Sequence, residues 1–326
     1  MIKPVKFLIL RFSSIGDIVL TTPVLRCLKE QYPHAEVHYF TKSKFGFILK
    51  DNPFVDKLWL LDKSESDVLK PLKKENFDFI IDLHNNLRTA KIKFSLGKPS
   101  FSFDKLNVQK FLLTNFKINR LPDVHIVDRY LDTLKTFDIK NDLKGLDYFV
   151  PEKDQIEIGK LPVSHQTGFI AYAIGGQHFT KKLPVTRMIE LCAKINQPLV
   201  LLGGKEDFDN GEEVRNALPE IAIYNACGAY NFNQSASVIE KAKVVFSHDT
   251  GLMHVASAFH KKVYSIWGNT VPEFGMYPYQ TSFEILENKE LNCRPCSKIG
   301  HKQCPKKHFK CMNELPFSFE VDQLLQ

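Results

Sequence analysis
The chain has 326 residues, 44% of them hydrophobic and 25% charged, with a formal net charge of +7. That length exceeds what one hydrophobic core usually organises, and the composition excludes a disordered or low-complexity chain, so two folded domains are expected. No run approaches the roughly 18 apolar residues of a membrane span, and the apolar run before Arg11 is too short for a secretory signal. A cytoplasmic location is therefore expected. The basic balance suits an acidic partner, which nucleic acid, an anionic membrane face or a phosphorylated substrate would supply. No nucleic-acid-binding module accompanies it and the lysines are scattered, so nucleic acid is not expected.

In chain order, Lys6 to Leu10 reads as a strand. The polar turn Arg11-Phe12-Ser13-Ser14-Ile15-Gly16-Asp17 follows, then apolar positions 20, 24, 25 and 28 at helical spacing. Pro23 either starts this helix or kinks one begun near Gly16. Strands are expected at Glu36 to Phe40, Lys57 to Leu61 and Phe77 to Leu83, and helices at Asp67 to Lys74 and Val127 to Phe137. Residues 98–125 read as basic and irregular, and 139–166 as a linker.

The second half restarts with a strand ending at Ile174, followed by Gly175-Gly176 and a helix from about 185 to 195. Strand Pro198 to Leu202, turn Gly203-Gly204, helix Asn210 to Leu218, strand Ile221 to Tyr224 and a helix near Gln234 to Lys241 come next. The run Ala242 to Phe246 then delivers Ser247-His248-Asp249-Thr250-Gly251-Leu252-Met253-His254, and a strand at Lys262 to Trp267 follows. This βα alternation predicts an α/β fold of two Rossmann-like halves. Their strand C-termini, where such sheets bind ligands, would face a central cleft.

Several stretches carry chemistry. Asp249 and Thr250 are helix-capping types, and Gly251 allows close backbone approach, so this turn can offer free N–H groups to an anion. His254 falls one turn further along the same helix face. A capped helix with a core histidine fits the spacing equally well. Asp17 lies just past the first strand and can serve as a general base, with Ser13, Ser14 and Gly16 shaping a tight polar approach. Helix capping is the competing role. Lys181 or Lys182 can neutralise a phosphate group. Glu206 can accept hydrogen bonds from a ribose. Arg88, Arg120 and Asn85 are candidates for an anionic acceptor. Asp207-Phe208-Asp209 is too short to argue for a metal. In the tail, Cys293, Cys296, Cys304 and Cys311 fall within 19 residues. Structural zinc, disulfides and packed free thiols all remain open for them.

Asp249-Thr250-Gly251-x-x-His254-x-Ala256 resembles the donor-nucleotide motif of the ADP-heptose:lipopolysaccharide heptosyltransferases, glycosyltransferase family 9. Arg11 to Val19 resembles that family's first motif, in which the aspartate is the proposed base. Aligning Lys181-Lys182-Leu183-Pro184 on the proline selects Lys181, although Leu stands where the family has Trp. The resemblance runs from about residue 6 to 315. It implies a GT-B architecture, with an acceptor-binding domain at 1–150 and a donor-binding domain with the cysteine-rich tail at 151–312. A segment at 313–326 would pack back on the first domain. It implies inverting transfer of heptose from an ADP-sugar to an anionic glycolipid acceptor at the inner membrane face. Asp17 and Lys181 would be catalytic. Asp249, Thr250, Gly251, His254, Glu206 and Lys182 would hold the donor, and no cofactor would be needed for catalysis. A different nucleotide-sugar donor, a non-catalytic sugar-nucleotide binder and a zinc-tailed nucleic-acid partner are the competing readings.

Overall fold
The computed structural model describes residues 3–62 and 64–320. By internal contacts the chain divides into two units. The first comprises Met1–Lys105 and Val124–Phe149, the second Leu106–Asp123 and Val150–Gln326.

The first unit contains β1 (Val5–Leu10), α1 (Ile15–Val19), α2 (Thr22–Gln31), β2 (Ala35–Lys42), β3 (Lys57–Leu61), α3 (Glu65–Lys74), β4 (Phe79–Asp82), α4 (Leu87–Leu96) and β5 (Ser100–Ser102). The chain then contributes α5 (Asn107–Phe116) to the second unit and returns to the first for α6 (Ile126–Leu131). The first sheet runs β3-β2-β1-β4-β5, with every paired strand parallel. Phe7 to Leu10 are all fully buried, as expected of a parallel strand covered on both faces. Pro23 sits in the first turn of α2, where its missing N–H leaves no helical bond unmade.

The second unit continues with β6 (Ile170–Ala173), α7 (Val185–Ile195), β7 (Leu199–Leu202), α8 (Phe208–Ala217), β8 (Ile223–Asn225), α9 (Phe232–Lys241), β9 (Val244–His248), α10 (Gly251–Ala258), β10 (Lys262–Trp267), β11 (Phe283–Glu287) and α11 (Lys310–Asn313). Its parallel sheet runs β8-β7-β6-β9-β10-β11. Counted within the unit this is the order 3-2-1-4-5-6 of dinucleotide-binding folds, and the first sheet has the same order less one strand. The strand order reverses between β1 and β4 in one sheet and between β6 and β9 in the other. Side chains of β6 alternate between two cores: Ile170 and Tyr172 enter one with Leu199, Leu201 and Phe246, while Ala171 enters the other with Val200 and Val245.

Two features differ from the sequence expectation. Residues 106–123 belong with the second unit, because Leu113 and Leu121 pack against Val271 and Phe274. The C-terminal segment also stays with that unit: Leu315 and Phe319 enter the core over β6 and β9, and Arg187 donates to the Leu315 carbonyl. The last residues of the expected 313–326 segment, 321–326, lie outside the described residues.

Candidate active site
In the first unit, β1 ends at the strand-order reversal and hands the chain to the turn before α1. Arg11 is 7% exposed and spreads its guanidinium over three partners. It donates to the Leu83 carbonyl at 2.5 Å and the Ser13 carbonyl at 2.8 Å, and pairs with Asp17 Oδ1 at 2.5 Å. The other Asp17 oxygen accepts from the Ser14 N–H at 2.9 Å and the Ser14 hydroxyl at 2.7 Å. Asp17 therefore closes the first turn of α1 and also carries a fixed negative charge. Burial opposes its ionisation, but the Arg11 charge and the two Ser14 bonds outweigh it and hold the carboxyl at about 2. Its side chain is still 19% exposed, so a substrate can reach it. Gly16 is buried beneath it.

Across the same strand reversal, Asp82 Oδ1 accepts from the backbone N–H groups of His84 and Asn85, and Asp82 Oδ2 pairs with Lys93 at 2.8 Å. His84 packs edge-on against Phe12, and the Arg88 guanidinium lies over the Phe12 ring, 5.7 Å from its centroid. Burial, reinforced by Arg11 and Lys105, pushes His84 down to about 4 and keeps it neutral. The Asn85 amide is committed to the Phe103 carbonyl at 2.9 Å, which makes it a turn-forming group. Arg120 is exposed on the segment held by the second unit, so the first unit contributes Arg88 and not Arg120.

In the second unit the loop after β6 and the motif after β9 meet at the strand reversal. Lys181 Nζ lies 2.6 Å from Asp249 Oδ2 and donates to the Asp249 carbonyl at 3.1 Å. Lys182 takes a different partner, Asp207 Oδ1, at 2.8 Å. Thr250 is the N-cap of α10 by position, but its hydroxyl makes no capping bond and lies 3.5 Å from the Ser247 hydroxyl. The Met253 N–H donates to the Thr250 carbonyl at 3.2 Å, which leaves the Gly251 and Leu252 N–H groups at the helix start without an acceptor within the helix. Gly176 permits this crowding: a Cβ there would lie 3.2 Å from Lys182 Cγ and 3.3 Å from Thr250 Cγ2. His254 is 2% exposed, one turn into α10. Glu206 is exposed on the 3-10 turn Lys205–Asp207, beside Gly204.

Two parallel sheets of this order, each with charged groups clustered at its strand reversal, are accompanied by a match of residues 66–309 to the model of glycosyltransferase family 9 (heptosyltransferase). The chain belongs to that family. It is 27% identical to lipopolysaccharide heptosyltransferase 1 of Campylobacter coli, over 88% of this chain and 89% of that protein. Its fold is shared with the Escherichia coli ADP-heptose lps heptosyltransferase II, at TM-score 0.68 and 20% identity, over 95% of this chain and 98% of the other. It is shared too with E. coli heptosyltransferase WaaC solved with ADP-2-deoxy-2-fluoro heptose, at TM-score 0.62 and 19% identity, over 86% and 92% of the two chains. The chain is a glycosyltransferase of GT-B fold.

Two residues in this family 9 enzyme, His248 and Thr270, were given no role by sequence, and a third, Asp207, was read only as part of a motif too short for a metal. Asp207, 1% exposed, holds Lys182 and also accepts from the Gly204 N–H at 3.1 Å. His248 is fully buried and accepts the Leu183 N–H at 3.0 Å, fastening the lysine loop to the end of β9. Burial, with the Lys182 charge, pushes His248 down to about 3, so it stays the neutral acceptor that this bond requires. Thr270 donates to Asp249 Oδ2 at 2.8 Å, the same oxygen that Lys181 meets. Each signal in the sequence was a lone polar residue near a strand end, and only the tertiary partner gives it a role.

In the tail, Cys293, Cys296, Cys304 and Cys311 lie close enough for their charges to act on one another, and the Cys293 sulfur is 3.9 Å from His308 Nε2. Among the described residues, only Glu36, His38 and Glu75 bring three potential ligand atoms within 4.8 Å of one another. That trio is already committed: Trp59 donates to His38 Nδ1 at 3.1 Å, so Nε2 carries the proton it shares with Glu36, and Lys6 and Lys57 pair with Glu75. Cys311 faces the core, where burial pushes its thiol up to about 12, and the Cys296 thiol donates to the Cys293 carbonyl. All seven cysteines are free thiols in this structure. The tail braces the loops after β6 and β10 of the second unit. Arg294 donates to the carbonyls of Gly268 and Thr270 and pairs with Glu287, while the His301 N–H donates to the Thr180 hydroxyl at 2.8 Å.

Proposed function
We propose that this enzyme transfers a heptose from an ADP-activated donor to a hydroxyl of a lipopolysaccharide core acceptor, with inversion at the anomeric carbon. The observation that carries the donor half is the meeting of Lys181 with Asp249 at the N-terminus of α10. A lysine, a helix N-terminus and a carboxylate that fixes the lysine form a preorganised cradle for a diphosphate. The relatives named above act on ADP-heptose or lipopolysaccharide by their names, which supports the choice of sugar and acceptor.

In this reading the bond from the anomeric carbon to the diphosphate oxygen breaks, and its electron pair leaves with ADP. Lys181 and the first N–H groups of α10 stabilise that growing charge, with Thr250, Gly251 and His254 shaping the donor site. Fixed donors of this kind act more on the transition state than on the ground state. The acceptor oxygen forms the new bond, and its proton passes to the Asp17 carboxylate. A carboxyl held at about 2 is ionised throughout the physiological range, so no prior deprotonation is required. Arg88 and the Ser13–Gly16 turn would hold the acceptor, and the enzyme would work as a peripheral protein on the cytoplasmic membrane face. No metal has a role in this scheme.

The test is transfer from ADP-heptose to a heptose-accepting core glycolipid, with the product anomer assigned by NMR and UDP- and GDP-sugars run in parallel. Product of inverted configuration from the ADP-sugar supports the reading. Retained configuration, or turnover with UDP- or GDP-sugars alone, contradicts it.

A further inference from the structure
The lysines and arginines are spread along the chain, but the charge imbalance is not. Residues 87–120 contain eight basic residues and one acidic residue, a net +7 equal to that of the entire chain. The excursion that leaves the first unit and packs on the second, Leu106–Asp123, carries Lys110, Lys117 and Arg120 against the single acidic residue Asp123, with Lys105 just before it.

Its helix α5 is apolar on two sides. Leu113, 8% exposed, faces the unit with Val271 and Phe274, and the Lys117 ammonium anchors the helix end to the Pro295 carbonyl at 2.6 Å. The opposite side presents Val108 at 68% exposure, Phe111 at 51% and Phe116 at 60%, followed by Ile118 at 47%. Val108, Phe111 and Asn115 follow the i, i+3, i+7 rule of one helix face. The Phe111 and Phe116 rings touch edge to face at 5.9 Å. An ordered, doubly anchored helix therefore displays large apolar side chains among cations.

We infer that the outward face of α5 docks this enzyme on an anionic lipid bilayer. Val108, Phe111 and Phe116 each stand more than half exposed, which suits insertion into the headgroup and acyl boundary. Its aromatic and aliphatic side chains need an apolar phase, which a nucleic acid backbone does not provide. Its cations need an anionic surface, and each basic residue near such a surface strengthens partitioning about fivefold. Docking of this kind extends the reading of a membrane-borne acceptor and rests on it for its purpose. The assay below contains neither donor nor acceptor, so its outcome is separate from that of the transfer reaction.

The experiment is co-sedimentation of the full chain with vesicles of equal phosphatidylglycerol and phosphatidylcholine, and with vesicles of phosphatidylcholine alone. The parent should partition at least about tenfold more strongly onto the anionic vesicles, with binding weakened by added salt. The double variant Phe111→Ser/Phe116→Ser should lose at least about tenfold of that partitioning, since each ring's burial is a sizeable apolar gain. Its melting temperature and its turnover of a lipid-free core oligosaccharide should match the parent. Equal partitioning onto the two vesicle types, or a double variant that binds like the parent, overturns the inference. A parent that is dimeric by light scattering and a double variant that is monomeric would also overturn it, by assigning the face to a second copy.

Discussion
Lys181 and Asp249 form an ion pair at 2.6 Å that ties the loop after β6 to the N-terminus of α10. Thr270 completes the clamp by donating to the same carboxylate oxygen. Asp249 is 7% exposed, so its charge requires these partners, and the lysine is fixed in return. Lys181→Met should weaken ADP binding about tenfold, the scale of one charge-assisted contact. Lys182→Met should do less, since Lys182 is held by Asp207. Isothermal titration with ADP decides between them, and the reverse order would assign the diphosphate contact to Lys182. Thr270→Val should raise the Kd for ADP several-fold, while Thr270→Ser, which keeps the hydroxyl, should bind like the parent.

Asp17 links the site to acid stability. Its folded pKa of about 2 lies below the ordinary 3.8, so its contribution is fully present above about pH 4 and is lost as pH falls toward 2. By linkage, about 1 kcal/mol of that contribution disappears between pH 5 and pH 3. Asp17→Asn should be less stable than the parent at pH 5, because Arg11 loses its buried counter-charge. The gap between the two proteins in urea unfolding should shrink by about 1 kcal/mol at pH 3. A gap independent of pH would show that Arg11 does not depress this carboxyl.

The clustered tail cysteines can be tested as packed thiols against a shared metal site. EDTA should leave the melting temperature unchanged, whereas loss of a structural zinc would lower it sharply. Cys293→Ser and Cys296→Ser should each cost little. Cys311→Ser, which places a hydroxyl in the core beside Met312 and Leu315, should cost about 1–3 kcal/mol. Equal losses for all four cysteines would point back to a shared ligand set.

Much of the fold was legible because parallel strands buried on both faces read as short apolar runs, and β1, β2, β6, β7 and β10 appear close to where those runs lie. Helix α5 was not legible. Its inward Leu106 and Leu113 and outward Val108 and Phe111 surround the helix, so no single-face period emerges. Its contacts with Val271 and Phe274 also lie more than a hundred residues away in sequence. Edge strand β11 was missed because its half-exposed residues lack a continuous apolar run. In the candidate site, the motif residues Asp17, Lys181 and Asp249 were visible as types at strand ends. Their pairings with Arg11 and Thr270, like that of Lys182 with Asp207, were not, since pairing depends on which strand ends the sheet order brings together. The tail cysteines cluster in the fold as they do in the sequence, with Cys293, Cys296, Cys304 and Cys311 close enough for their charges to act on one another.

The most direct measurement is the turnover of Asp17→Asn at saturating ADP-heptose and core acceptor, taken well below its melting temperature, with the Kd for ADP measured in parallel. Asparagine keeps the size and can still accept from Ser14, but it cannot take a proton from the acceptor hydroxyl. If Asp17 is the base, kcat falls by roughly 10²–10⁴ while ADP binds within about threefold of the parent, because the proposed nucleotide contacts reside in the second unit. Turnover within a few-fold of the parent would reduce Asp17 to a helix cap and would contradict the proposed mechanism at its proton-transfer step.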